Sequence, residues 1–154
     1  MIRRVTFTPS LAITAYDTGD VLFETLLVPG ALRQVGGIGR LAKSVVHDKA
    51  DQKAEIKLII FNADKALGTR HAAPDIVDAD ADYIRGIVRF ETTDYHDLGG
   101  VAVAEVSATD GFALQSTFVE AVEETKGIYV AGIVIGTPTY AAASLVFDLW
   151  ISDI

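Results

Sequence analysis

The sequence has no cysteine, one methionine, one tryptophan, four prolines and three histidines in 154 residues. Without cysteine there is no disulfide, no thiolate-bound zinc, no iron-sulfur centre and no thiol nucleophile, and the redox compartment stays open. Long apolar runs are also missing. The longest, residues 21–32, is interrupted by Glu24 and by Pro29-Gly30, and is too short to cross about 30 Å of hydrocarbon, so no transmembrane helix is expected. Near the start Arg3-Arg4 is basic, but Val5-Thr6-Phe7-Thr8-Pro9-Ser10 alternates with hydroxyls instead of running apolar, and no signal peptide is expected. Basic residues are scarce as well: 13 Lys and Arg against 21 Asp and Glu leave a net charge of −8. That charge repels a phosphate backbone, so nucleic-acid binding is not expected.

What is present is apolar. Hydrophobic residues make up 50% of the chain and charged ones 22%, the composition of one globular domain over residues 1–154. A chain of this length buries about 70% of its unfolded surface, so a core forms without staples. The strongest local signal is alternation. In Glu55-Ile56-Lys57-Leu58-Ile59-Ile60-Phe61, Ile56, Leu58 and Ile60 share one face, and the other face turns apolar at Ile59 and Phe61. Leu145, Phe147, Leu149 and Ile151 likewise oppose Val146, Asp148, Trp150 and Ser152. Residues 127–136 are rich in β-branched and aromatic side chains on both faces and end in Gly136-Thr137-Pro138, the pattern of a central strand covered on both sides. Further strands are expected at 3–8, 21–27, 40–47, 85–91, 101–107 and 112–121, with Asp110-Gly111 as a hairpin turn. Helical signal is confined to one short segment near 74–83, with Pro74 at its first position and Asp75 and Asp78 suited to the helix dipole. About nine short strands separated by Gly, Asp and Thr turns predict a mainly β fold, an antiparallel β-sandwich of jelly-roll type.

Motifs for chemistry fail on a second feature each. Asp78, Asp80 and Asp82 have the first spacings of a calcium loop, but Tyr83 stands where glycine is needed and Arg89 where a bidentate glutamate belongs. Gly36-Gly37-Ile38-Gly39-Arg40 runs into a strand rather than a Gly-Lys-Ser/Thr helix start, so it reads as a connection. His47, His71 and His96 are isolated in sequence, and His47-Asp48 and His96-Asp97 read as loop ends. No Gly-x-Ser-x-Gly elbow occurs, and Glu123-Glu124 reads as an exposed hairpin loop. No catalytic residue, metal ligand or cofactor site is assigned, and the expectation is a protein that is not an enzyme. Trp150, on the more polar face of its strand between Asp148 and Ser152, leaves two readings open: a subunit or partner interface, or packing beneath a loop.

Three stretches carry a resemblance. They are Tyr16-Asp17-Thr18-Gly19-Asp20-Val21, the block from Lys43 to Asp64 containing His47-Asp48-Lys49-Ala50-Asp51-Gln52 and ending Phe61-Asn62-Ala63-Asp64, and Gly136-Thr137-Pro138-Thr139-Tyr140 before the last strand. In that order they resemble a group of small virion proteins of tailed bacteriophages, over most of the chain. The resemblance implies a capsid decoration (cement) protein that binds the outer surface of the major capsid protein shell, is made in the host cytoplasm and acts as a homo-oligomer, a trimer or dimer. The alternative is a tail or baseplate module, or a receptor-binding module for carbohydrate. The matching motifs are turns and strand ends and transfer no contact residues. Edge-strand and aromatic arguments instead nominate Ile2, Arg3, Val5, Phe7 and Trp150 as partner or oligomer contacts.

Overall fold

The computed structural model describes residues 2–107, 118–120 and 126–153. Asp110-Gly111, the strand expected over 112–117 and the Glu123-Glu124 loop lie outside the described residues. Among the described residues ten strands follow one another: β1 (Ile2–Phe7), β2 (Val21–Val28), β3 (Ile38–Asp48), β4 (Glu55–Phe61), β5 (Ile84–Phe90), β6 (Tyr95–Asp97), β7 (Ala102–Ser107), β8 (Phe118–Glu120), β9 (Ile128–Ile135) and β10 (Leu145–Asp153). They form two antiparallel sheets. Sheet A has the order β1-β10-β3-β7-β6, with β8 also on β3, and sheet B the order β2-β9-β4-β5. The pairs β1 with β10, β2 with β9, β3 with β7 and β4 with β5 nest inside one another along the chain. That nesting, divided between two facing sheets, is the jelly-roll sandwich that turn spacing predicted. The three-residue β6 and β8 are additions to it.

Alternation sets what each sheet buries. The inward faces bring Phe7, Phe23, Phe90 and Phe147 together, with Phe147 stacked on Phe7 at a centroid distance of 5.2 Å and tilted against Phe23 at 5.9 Å and Phe90 at 6.2 Å. Phe23 fits because Gly132, its partner on β9, has no Cβ to strike the ring. The second apolar face of β4 is equally accounted for. Val21, Ile59, Phe61 and Ala131 on the outer side of sheet B are covered by Leu67, with Ile76 and Ile133 packed alongside. Strand β9, between β2 and β4, is therefore apolar on both faces for the reason its sequence gives.

That covering segment also revises the helix. Within 74–83 only α1 (Asp78–Ala81), a single turn, is helical, with Val77 rather than a residue near Pro74 at its N-cap. Pro74 stays in the preceding loop, where the Asp75 N–H donates to the Leu67 carbonyl at 2.9 Å and the chain follows the surface of sheet B. Along β3 the register shifts between Trp150 and Ile151, pairing Trp150 with Lys43 but Ile151 with Leu41. The extra residue, Ala42, restores alternation, so that Arg40 and Lys43 both face outward while Leu41 and Ser44 are buried.

His96-Asp97 belongs to β6 and not to a loop end, since its backbone pairs with Ala102 and Val103 of β7. Asp97 accepts from the Gly99 N–H at 2.9 Å and meets Lys53 Nζ at 3.1 Å. The Gly99 N–H first, then Lys53, hold its carboxyl below the ordinary aspartate value of 3.8. A lowered folded pKa stabilises the fold above the unfolded value, and that contribution is lost as pH falls through the lowered one. In a carbon-13 NMR titration Asp97 is expected to titrate below 3.8, and Lys53→Met to move its midpoint upward. A midpoint at or above 3.8 in the wild type contradicts the pairing.

Candidate interaction face

The outward face of sheet A presents three cross-strand rows, fixed by register. Arg4, Trp150, Lys43 and Ser107 form the first; Thr6, Asp148, Val45 and Glu105 the second; Val146, His47, Val103 and His96 the third. Trp150 is half-buried, with the Arg4 guanidinium carbon 5.8 Å and Lys43 Nζ 5.1 Å from the ring centroid. Two cations over one indole is a favourable electrostatic arrangement worth roughly 0.5–1 kcal/mol each at a surface. The indole N–H is buried and has no hydrogen-bond partner among the described residues. Lys43 also reaches Glu105 at 3.7 Å.

Below this row Asp148 is the hub. It accepts from the Thr6 hydroxyl and from His47 Nε2 at 3.2 Å, and its side chain keeps 13% of its exposure. Thr6, Asp148 and His47 have the residue types of a hydrolytic triad in the wrong order, with the carboxylate between hydroxyl and imidazole, so the imidazole bonds Asp148 and not the hydroxyl. Beside Thr6 and His47 lies an open concavity walled by Arg4, Thr6, His47, Lys49 and Asp148 itself and floored by Val101 and Val146.

The residues nominated from sequence divide by strand alternation. Ile2 is 58% exposed on the outward face, and Trp150 faces outward too. Arg3, Val5 and Phe7 point the other way. Arg3 Nη1 donates to the carbonyls of Gly30 at 3.2 Å and Leu32 at 3.0 Å, Val5 packs against the core, and Phe7 is inside it. Strand β1 remains an edge, since β10 is its one strand partner among the described residues. The nomination passed over Arg4, His47, Lys49 and Asp148. Arg4 was available from period two, sharing the face of Ile2, whereas the others need the order β1-β10-β3.

The three motif stretches converge elsewhere, at one end of the sandwich. The Tyr16 N–H donates to the Pro138 carbonyl at 3.0 Å, the Gly136 N–H to Thr18 Oγ1 at 2.9 Å, and the Thr139 N–H to Gln52 Oε1 at 3.0 Å. Tyr16 is buried, accepts from the Ala12 N–H and donates to the Leu22 carbonyl, both at 2.8 Å, and burial pushes its phenol up. Here His71 Nε2 lies 2.6 Å from the Ala15 carbonyl and 3.2 Å from Thr14 Oγ1, with Asp20 Oδ2 4.0 Å from Nδ1. The proton on Nε2 serves the carbonyl, so this nitrogen is a donor and cannot take a proton from Thr14. The cluster ties loops together. His47 and His96 share a row with Val103 between them while His71 is in this loop cluster, and no group of three or more His, Asp or Glu able to hold a metal occurs among the described residues.

Fold and surface together define a jelly-roll β-sandwich domain with one cation-flanked aromatic face. No protein-family model matches the chain, and no curated protein matches it. Among solved structures it is similar to a chain of "Structure of a marine algae virus of the order Picornavirales", at 11% identity and a TM-score of 0.24, over 99% of this chain and 67% of that one. A likeness that faint carries no weight for fold or function.

Proposed function

We propose that this protein is a non-enzymatic component of a tailed-bacteriophage virion, a decoration protein that binds the outer surface of the major capsid protein shell. The observation that carries the reading is Trp150, an indole held between Arg4 and Lys43 on an outward sheet face, with an unpartnered N–H and the open edge of β1 alongside. Tryptophan and arginine are among the residue types most enriched at the energetic centres of protein interfaces. The jelly roll itself is neutral, because the same architecture serves capsids, lectins and enzymes. The resemblance of the Tyr16, Asp48 and Gly136 motif stretches to small virion proteins supplies the partner. On a shell, lattice symmetry multiplies modest contacts into stable attachment.

The test is sedimentation of the full chain with shells that lack it, followed by cryo-electron microscopy. Density repeating over the capsid lattice supports the reading; density confined to tail tip or fibres replaces it with the tail or receptor-binding alternative, and no association rejects it. Trp150→Ala is expected to weaken shell binding by more than about tenfold, the loss of an anchor worth about 2 kcal/mol.

A further inference from the structure

We infer that the concavity beside Trp150 is a docking site for an extended, acidic segment of a partner protein, which lies along the β1 edge. This rests on the proposed function in taking sheet A as the contact face, and adds the chemistry of what it contacts.

Charge is distributed unevenly over the molecule. The whole chain carries 13 basic and 21 acidic residues. Yet the outward face of sheet A collects Arg4, Arg40, Lys43 and Lys49, and in the three cross-strand rows the acids are Glu105 and Asp148. Both acids are already engaged, Glu105 by Lys43 and Asp148 by Thr6 and His47. Arg4 and Lys49 meet no carboxylate among the described residues, and both wall the concavity. An incoming carboxylate therefore finds two cations that meet no carboxylate among the described residues, Arg4 resting over the Trp150 ring, and shares the rim with Asp148, whose charge Thr6 and His47 already engage. Val101 and Val146 below offer an apolar floor. In an extended chain, residues i and i+2 point to the same side, so an acidic residue at one and an aliphatic residue at the other reach rim and floor together. The edge of β1 supplies main-chain donors and acceptors for the same segment.

A second copy is a poorer occupant. The β1 edge it would offer, Ile2–Phe7, carries two arginines and no carboxylate, so it brings no anion to Arg4 and Lys49. A phosphate polyanion satisfies the rim but leaves the valine floor unused.

Trp150 is the single tryptophan and stands at this face, so its fluorescence reads the site directly. The full chain is titrated with an eight-residue peptide alternating Glu and Val, with its Lys/Val counterpart, and with a single-stranded oligonucleotide. The Glu/Val peptide is expected to shift Trp150 emission saturably and the Lys/Val peptide to leave it unchanged. The double reversal Arg4→Glu/Lys49→Glu should weaken the Glu/Val peptide by about tenfold or more. Both residues are exposed, so the fold tolerates the change, which circular dichroism checks. Lys57→Glu, on sheet B, serves as the control and should bind as wild type. Absence of a saturable shift, equal response to both peptides, an equally strong response to the oligonucleotide, or wild-type affinity in the double reversal each overturns the inference. So does light scattering that shows dimerisation abolished by the same reversal. Shells bound equally well by wild type and double reversal overturn the inference and leave the decoration reading standing. Shells that bind neither remove that reading, and the peptide titration still decides the pocket.

Discussion

Phe147→Ala is expected to lower the unfolding free energy by about 3–5 kcal/mol, measured as a shift of the urea midpoint at unchanged slope. Phe147 has no exposed surface, and its ring meets Phe7, Phe23 and Phe90, so one truncation removes three aromatic contacts as well as the buried area. The ring comes from β10, the strand between β1 and β3, while Phe23 and Phe90 come from β2 and β5 of the facing sheet. The cavity would therefore open between the sheets, where strands held by ladders on both sides cannot collapse into it. Against a typical total of about 5–15 kcal/mol, this is a large fraction. Phe147→Leu retains most of the volume and should cost less than half as much. Ile2→Ala, at an exposed edge, should stay within about 0.5 kcal/mol. A Phe147→Ala loss below about 1.5 kcal/mol would mean that the four rings do not form the structural centre described here.

Phe147 also illustrates what alternation makes legible. Leu145, Phe147, Leu149 and Ile151 share a face in sequence and are all buried, because a strand with one wet side has to sort its residues by parity. The same rule places Trp150 outward and, applied to β1, separates Ile2 and Arg4 from Arg3, Val5 and Phe7. Nominating all but Arg4 of these as one contact arm mixed two faces of one strand. Strand order was not legible. Nothing local in residues 3–8 says that they pair with the far end of the chain, and the Thr6, Asp148 and His47 cluster depends on that pairing. The bulge at Ala42 was hidden for a related reason, since it exists only relative to β10. Strand β6 has three residues, too few for a period to show. The acidic run near 78–82 has the first spacings of a calcium loop but fails at Tyr83 and Arg89. Its shape is instead set by neighbouring Ile76, which packs on the outer face of sheet B, and Asp80 meets Lys65 Nζ at 3.6 Å.

The turn that carries the sequence resemblance makes the second strong prediction. Asp48→Ala is expected to destabilise the protein by about 3 kcal/mol. Its carboxylate is wholly buried, and it accepts from the Ala50 N–H at 3.0 Å, the Gln52 N–H at 2.9 Å and the Lys53 N–H at 2.8 Å. Those bonds hold a turn in which Asp51 and Lys53 both have positive φ, 53° and 52°, a region that side chains other than glycine disfavour. Removing the carboxylate leaves three donors without an acceptor and releases two strained residues at once. Asp48→Asn keeps one acceptor oxygen but turns an amide N–H₂ toward a donor, so it should fall between wild type and alanine. The effect should travel. Gln52 Oε1 holds the Thr139 N–H, which joins this turn to the Gly136-Thr137-Pro138-Thr139-Tyr140 turn before β10. Tyr140 and Tyr95 are pushed up by burial first and by the Asp48 charge second, which places that charge against both rings. Amide hydrogen exchange is the discriminating measurement. In Asp48→Ala the amides of Gln52, Lys53 and Thr139 should lose protection together, while that of Leu32, bonded to the Lys126 carbonyl at 2.8 Å, should keep it. Loss confined to residues 50–53 would show two independent turns that merely lie side by side. Joint loss would show that the motifs act as one clasp across the end of the sandwich, a physical reason for these stretches to occur together in a chain without a catalytic signature.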